Sequence, residues 1–187
     1  MKKKLTIAAA LLLAVCAAAL AVEVAGVDLP DTVTVDGKTL KLNGAGLRKK
    51  AIFKVYVAAL YVEQPTHDAS ALLSSSQVKS MRLRMMRSVK GKQVSESIED
   101  GFAKNSKQQQ DKLKDRLGKF EAMIPDVDEG DDIVMTWIPD QGTKVAVRGT
   151  ERGTIEGRDF ADALFAVWLG PNPVQGDLKK SLVGGSK

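Results

Sequence analysis

Ten consecutive residues, Phe53 to Val62, read Phe-Lys-Val-Tyr-Val-Ala-Ala-Leu-Tyr-Val, a β-branched and aromatic run without glycine, proline or acid. A run of this kind has strand length and suits a pleated surface. Side chains alternate faces along a strand, so Phe53, Val55, Val57, Ala59 and Tyr61 fall on one side and Lys54, Tyr56, Ala58, Leu60 and Val62 on the other. The second set places a cation and a phenol beside a small alanine, which frames a cavity better than it fills a core. Upstream, Leu42-Asn-Gly-Ala-Gly-Leu-Arg48 is expected to form a glycine-broken turn, with Gly44 and Gly46 free to take positive φ and Arg48 on the turn that feeds the strand.

The remaining chain supplies the partners of this strand. Thr32–Val35, Asp36-Gly37 and Thr39–Leu42 read as a hairpin with a tight primed turn. Pro65 ends the central strand and Asp68 caps a short helix through Leu73. Val78–Arg87 is a further strand in which Met81, Leu83 and Met85 alternate with Arg82 and Arg84; the arginines are expected to face water or cover a sheet edge. Val94, Ile98 and Phe102 recur at helical spacing, as do Leu113, Leu117, Phe120 and Ile124, with a junction near residues 105–110 and Pro125 beyond the second helix. Strands return at Ile133–Ile138, Lys144–Arg148 and Thr150–Glu156. A helix from Phe160 ends at Gly170, and Asn172-Pro173 is expected to open a terminal helix through Leu182. Strands, helices, strands, helices in that order predict a segregated α+β fold. It is a mostly antiparallel sheet with helices on one face and a ligand cavity between the layers.

Lys2, Lys3 and Lys4 precede an apolar stretch from Leu5 to Ala18 and a small-x-small site, Ala19-Leu20-Ala21. This is the pattern of a signal peptide over residues 1–21, leaving residues 22–187 as one domain in the periplasm. A retained membrane helix is the competing reading, but the run is short for a span and no basic stop-transfer cluster follows it. Cys16 suggests a lipoprotein site, yet Val15 stands before it and the apolar run continues past it. No stable membrane anchor is expected after cleavage, and the mature chain has no cysteine to form a disulfide. Removing three lysines lowers the basic count from 28 to 25 against 23 acids, a net charge of +2. So weak a balance, without a basic block, excludes nucleic acid as an expected partner.

Two blocks together resemble the chalcone isomerase-like family, in an exported bacterial member of non-plant type. One is Gly44-Ala-Gly-Leu-Arg48 followed by Phe53-Lys54 and Leu60-Tyr-Val62. The other is Phe160-Ala-Asp-Ala-Leu-Phe-Ala-Val-Trp-Leu-Gly170-Pro-Asn-Pro-Val174 with Leu178–Leu182. The resemblance spans about Val27 to Gly184 and implies the same strand-and-helix order, the chalcone isomerase-like fold. It also implies a role for Arg48: holding a phenolate and polarising a ketone in catalytic members, or gripping a carboxylate in fatty-acid-binding relatives. Both tasks use a permanently charged planar fork. From composition alone, Arg48 is a solvated residue in a Lys/Arg run. Tyr56 stands where catalytic members carry a threonine that orders water, and its other role is core packing.

The departures favour binding over catalysis. Plant enzymes carry a tyrosine and, seven residues on, an asparagine, where this chain offers Val94 and Gly101. No tyrosine occurs after Tyr61. The expected function is therefore non-catalytic binding of a small hydrophobic acid, fatty-acid-like, at Arg48, Tyr56 and Lys54. The rival is an isomerase acting on an oxygenated aromatic or enone ligand around the same arginine, and a weaker third reading is an envelope protein-interaction domain. No metal or other cofactor is expected. Lys49 spoils a dinucleotide fingerprint, and the Asp126–Asp132 stretch fails the EF-hand register and reads as a solvated acidic turn. His67, the single histidine, rules out zinc and triad chemistry.

Overall fold

The computed structural model describes residues 21–184; the expected signal peptide, apart from Ala21, lies outside the described residues. A two-stranded hairpin, β1 (Ala21–Val24) and β2 (Val27–Pro30), opens the fold. It was not expected from the sequence. Seven further strands follow: β3 (Thr32–Val35), β4 (Lys38–Lys50), β5 (Phe53–Val62), β6 (Lys79–Met85), β7 (Asp132–Ile138), β8 (Gly142–Val147) and β9 (Thr150–Ile155). They make one antiparallel sheet in chain order. The helices are α1 (Ala69–Ser74), α2 (Gly91–Asn105), α3 (Gln110–Ala122), α4 (Arg158–Leu169) and α5 (Gly176–Leu182). The fold is thus α+β, as the order of elements predicts.

Apolar residues fill both faces of the sheet. Ala58, Leu60, Met81, Leu83, Met135 and Val145 pack against the helices, chiefly α4, where Phe160 and the residues from Ala163 to Leu169 are all buried. Each large side chain removed from water there contributes about 1.5–3 kcal/mol. Val57, Ala59 and Tyr61 face the other way, against Leu29, Leu40 and Val78. The β1–β2 hairpin therefore covers the face that the helices leave open. Asp36 (φ 50°) and Gly37 (φ 75°) make the expected primed turn between β3 and β4. Asp68 caps α1 through bonds from the Ser70 and Ala71 N–H groups. The buried Lys79 ammonium reaches the other end of that helix, donating to the Leu72 and Leu73 carbonyls at 2.8 and 3.0 Å. Both ends of a six-residue helix are satisfied by side chains.

Three expectations need correction. Residues 42–48 form no turn: they lie inside the thirteen-residue β4, and neither Gly44 nor Gly46 has positive φ. The glycines are there for proximity. A Cβ on Gly44 would sit 2.2 Å from the Ser181 carbonyl oxygen, and one on Gly46 2.7 Å from the Ser181 Cβ, so α5 lies directly on the bare backbone of β4. The terminal helix starts at Gly176, not at Asn172-Pro173. Asn172 instead ties the α4–α5 connection to α2: its N–H donates to Asn105 Oδ1, and its carbonyl accepts from Asn105 Nδ2, both at 2.9 Å. Arg82 and Arg84 guard no edge, because β6 lies between β5 and β7. Both converge on Asp132: Arg82 forks it at 2.9 and 2.8 Å, and Arg84 adds a bond at 2.8 Å.

The acidic stretch is largely an exposed turn, as expected, and carboxylates within it are engaged. Asp126 accepts from the Gly91 N–H and pairs with Lys90, and Asp131 accepts from the Asp128 N–H and pairs with Arg148. No cluster of His, Cys, Asp and Glu suited to a metal occurs among the described residues.

Candidate functional site

The turn at Ala51 and Ile52 folds β5 back on β4, and the register sets Arg48 opposite Tyr56. One step further the pairing shifts: Lys49 faces Lys54, and Val55 becomes an extra residue in β5. Such a bulge reverses which side chains face which side. Phe53 and Val55 consequently join Tyr56 along the cavity wall, whereas Lys54 is exposed and absent from that wall. Of the three site residues expected from sequence, the structure brings together Arg48 and Tyr56 and leaves Lys54 outside.

The cavity has a volume of about 340 Å³ and lies between the sheet and helices α2 and α4. Its apolar walls include Leu83 and Met85 from β6, Val94 and Ile98 from α2, and Val167 from α4. Arg48, Lys50 and Arg87 contribute cations; no Asp, Glu or His lines it. The Arg87 guanidinium lies 4.7 Å from the centre of the Phe53 ring. A second depression, about 420 Å³, is walled mainly by turn residues around Pro139 and Gly157 and holds both acids and Arg158. It lacks the packed apolar wall that encloses a hydrophobic ligand.

Arg48 is held from behind. Its Nη1 donates to the Lys49 carbonyl and, at 3.2 Å, to Gln175 Oε1. The same amide oxygen accepts from the Lys49 N–H at 2.9 Å, and Gln175 Nε2 donates to the Leu47 carbonyl at 3.2 Å. Gln175 thus completes the unpaired edge of β4 in the way a neighbouring strand would, since β3 pairs only with residues 38–41. No carboxylate among the described residues forms an ion pair with Arg48.

Trp168 Nε1 donates to the Tyr56 hydroxyl at 3.0 Å. Burial pushes the phenol's pKa up, against the Trp168 hydrogen bond and the positive charge of Arg48. Tyr56 therefore stays protonated at neutral pH. Its oxygen accepts from Trp168, and its own hydrogen is left to donate.

Val94 lines the cavity, and Gly101 is a contact position: a Cβ there would come 2.7 Å from Val167 Cγ2. These two positions give the cavity an apolar wall and α2 a close crossing with α4. No local signal in the sequence marks Gln175, and Trp168 enters the site through its indole N–H, a donor that needs a partner when buried. Lys50 and Arg87 are likewise unmarked, because a cation beside a strand more often points to water.

The sequence model of the chalcone isomerase-like family matches residues 21–184. The crystal structure of a fatty-acid binding protein of Arabidopsis thaliana superposes with a TM-score of 0.68, covering 84% of this chain and 92% of that one, at 17% identity. At that identity the likeness is one of fold. Among curated proteins none matches the sequence.

Proposed function

Because the chain belongs to the chalcone isomerase-like family, we propose that it is a non-catalytic binder of a small apolar acid, in the manner of the family's fatty-acid binders, and that it works as an exported periplasmic protein. The carboxylate lies against the Arg48 guanidinium and the Tyr56 hydroxyl, and the apolar tail runs into the cavity toward Leu83, Met85 and Ile98. The observation that carries this reading is the composition of the cavity: apolar walls, three cations and no acid. A desolvated anion finds charge-assisted donors there and no repulsion. A volume of about 340 Å³ stands at the low end of ligand cavities and suits a short or medium chain. Catalysis is poorly served. With Val94 and Gly101 in place of the plant pair, the wall's polar groups are Tyr56, Trp168, the cations, Ser88, Gln93 and Ser97, with no second phenol to orient a ketone.

Calorimetric titration with dodecanoate tests the assignment. Arg48→Ala should weaken binding on the order of tenfold to a hundredfold, the worth of a charge-assisted contact. Stability should change by less than about 1 kcal/mol, because Arg48 lies outside both cores. Arg48→Lys should restore only part of the affinity, since a point charge does not reproduce the fork. Binding indifferent to Arg48 would place the anion site elsewhere. Cyclisation of a chalcone that disappears in Arg48→Ala would make the protein an isomerase.

A further inference from the structure

The β4–β5 turn carries side chains that folding does not ask for. It is a two-residue turn with positive φ at Ala51 (52°), the first position, where glycine is the usual occupant. Turn residues are ordinarily small or polar. Here Ile52 is 88% exposed and the next residue, Phe53, is 53% exposed. Phe53 also lines the cavity, so the apolar tip and the cavity are contiguous. Around the tip stand Lys49, Lys50, Lys54 and Arg87, all exposed. None of the four forms an ion pair among the described residues.

An exposed apolar tip ringed by unpaired cations is complementary to one kind of partner, a lipid surface with anionic headgroups. We propose that the β4–β5 tip docks reversibly on an anionic bilayer, laying Ile52 and Phe53 among the acyl chains while the four cations meet the headgroups. The cavity would then open against the membrane, the phase in which apolar acids concentrate. The docking goes beyond the ligand reading and does not depend on Arg48 being the anchor.

Co-sedimentation of residues 22–187 with vesicles tests it. The protein should bind equimolar phosphatidylcholine–phosphatidylglycerol vesicles and not pure phosphatidylcholine. Binding should fall steeply at about 1 M salt, where the screening length shrinks to about 3 Å. Ile52→Glu should reduce it by roughly tenfold or more, the factor set by withdrawing one large apolar side chain. Lys49→Glu with Lys54→Glu should do likewise. Ile52 does not line the cavity and takes no part in holding Arg48, so dodecanoate binding from solution should persist in Ile52→Glu and the two readings fail separately. Ile52→Trp supplies a second readout. Trp137 and Trp168 are buried, so a blue shift on adding anionic vesicles, quenched by brominated acyl chains, would report the tip. Wild-type protein that ignores anionic vesicles, Ile52→Glu that binds as tightly as wild type, or an unmoved Ile52→Trp spectrum would each overturn the proposal.

Discussion

Tyr56 shows how much one residue can carry. It faces Arg48 across β4 and β5, accepts from Trp168 at 3.0 Å, and closes one wall of the cavity. Tyr56→Phe would keep the ring and strand the buried indole N–H of Trp168. That should cost about 1–3 kcal/mol, the desolvation penalty of an unmade hydrogen bond, and lower the denaturation midpoint in urea at an unchanged slope. A variant as stable as wild type would show that Trp168 finds another acceptor. Arg48 and Tyr56 were legible as candidates by residue type, a fork and a phenol near a strand. That they stand side by side was not, because the pairing depends on a turn placed at Ala51 and on a bulge at Val55. The same bulge removes Lys54 from a face to which strict alternation assigns it.

At the scale of elements, the strands and helices were readable wherever periodicity spoke: β5 from its β-branched run, α2 from Val94, Ile98 and Phe102, and the primed turn from Asp36-Gly37. Glycine misled. A glycine in sequence can mean positive φ or close approach, and nothing local separates the two. Gly44 and Gly46 turned out to be a landing strip for α5, and Gly101 a crossing point for α4. Asn172-Pro173 misled for another reason: the Asn172 backbone pairs with Asn105 and its side-chain amide donates to the Lys104 carbonyl, so it is tied to α2, and the helix starts at Gly176. Gly44→Ala should therefore push α5 off β4 and cost about 1–3 kcal/mol, as overpacking does. The α5 amides should then exchange faster with solvent than they do in wild type. Equal protection of α5 in variant and wild type would mean that its backbone does not rest on Gly44.

Across the whole molecule the order of strands and helices predicts the α+β layering, but the site joins residues far apart in the chain. Gln175 braces Arg48 from 127 positions away. Only the packed structure can make such a contact, and no spacing announces it. The helical layer is also held by a long-range ionic contact: Arg116 of α3 forks Asp159 of α4 at 2.7 and 2.9 Å, with Lys112 at 3.1 Å. The Arg116 hydrogen bonds, then Lys112, hold the Asp159 carboxyl well below its ordinary pKa. A carboxylate depressed in the folded state stabilises fully above its unfolded pKa, about 4, and loses that contribution as pH falls toward the folded value. Urea midpoints should drop below about pH 4 in wild type and fall less steeply in Asp159→Asn; identical acid limbs would remove Asp159 from the account. The central claim is that the cavity holds an apolar acid by its head. A crystal structure of the dodecanoate complex tests it most directly. The account predicts a carboxylate oxygen about 2.7–2.9 Å from the Arg48 guanidinium, the other within hydrogen-bond reach of the Tyr56 hydroxyl, and the tail against Leu83, Met85 and Ile98. A carboxylate pointing into solvent with Arg48 unengaged, or a ligand bound outside this cavity, would contradict it.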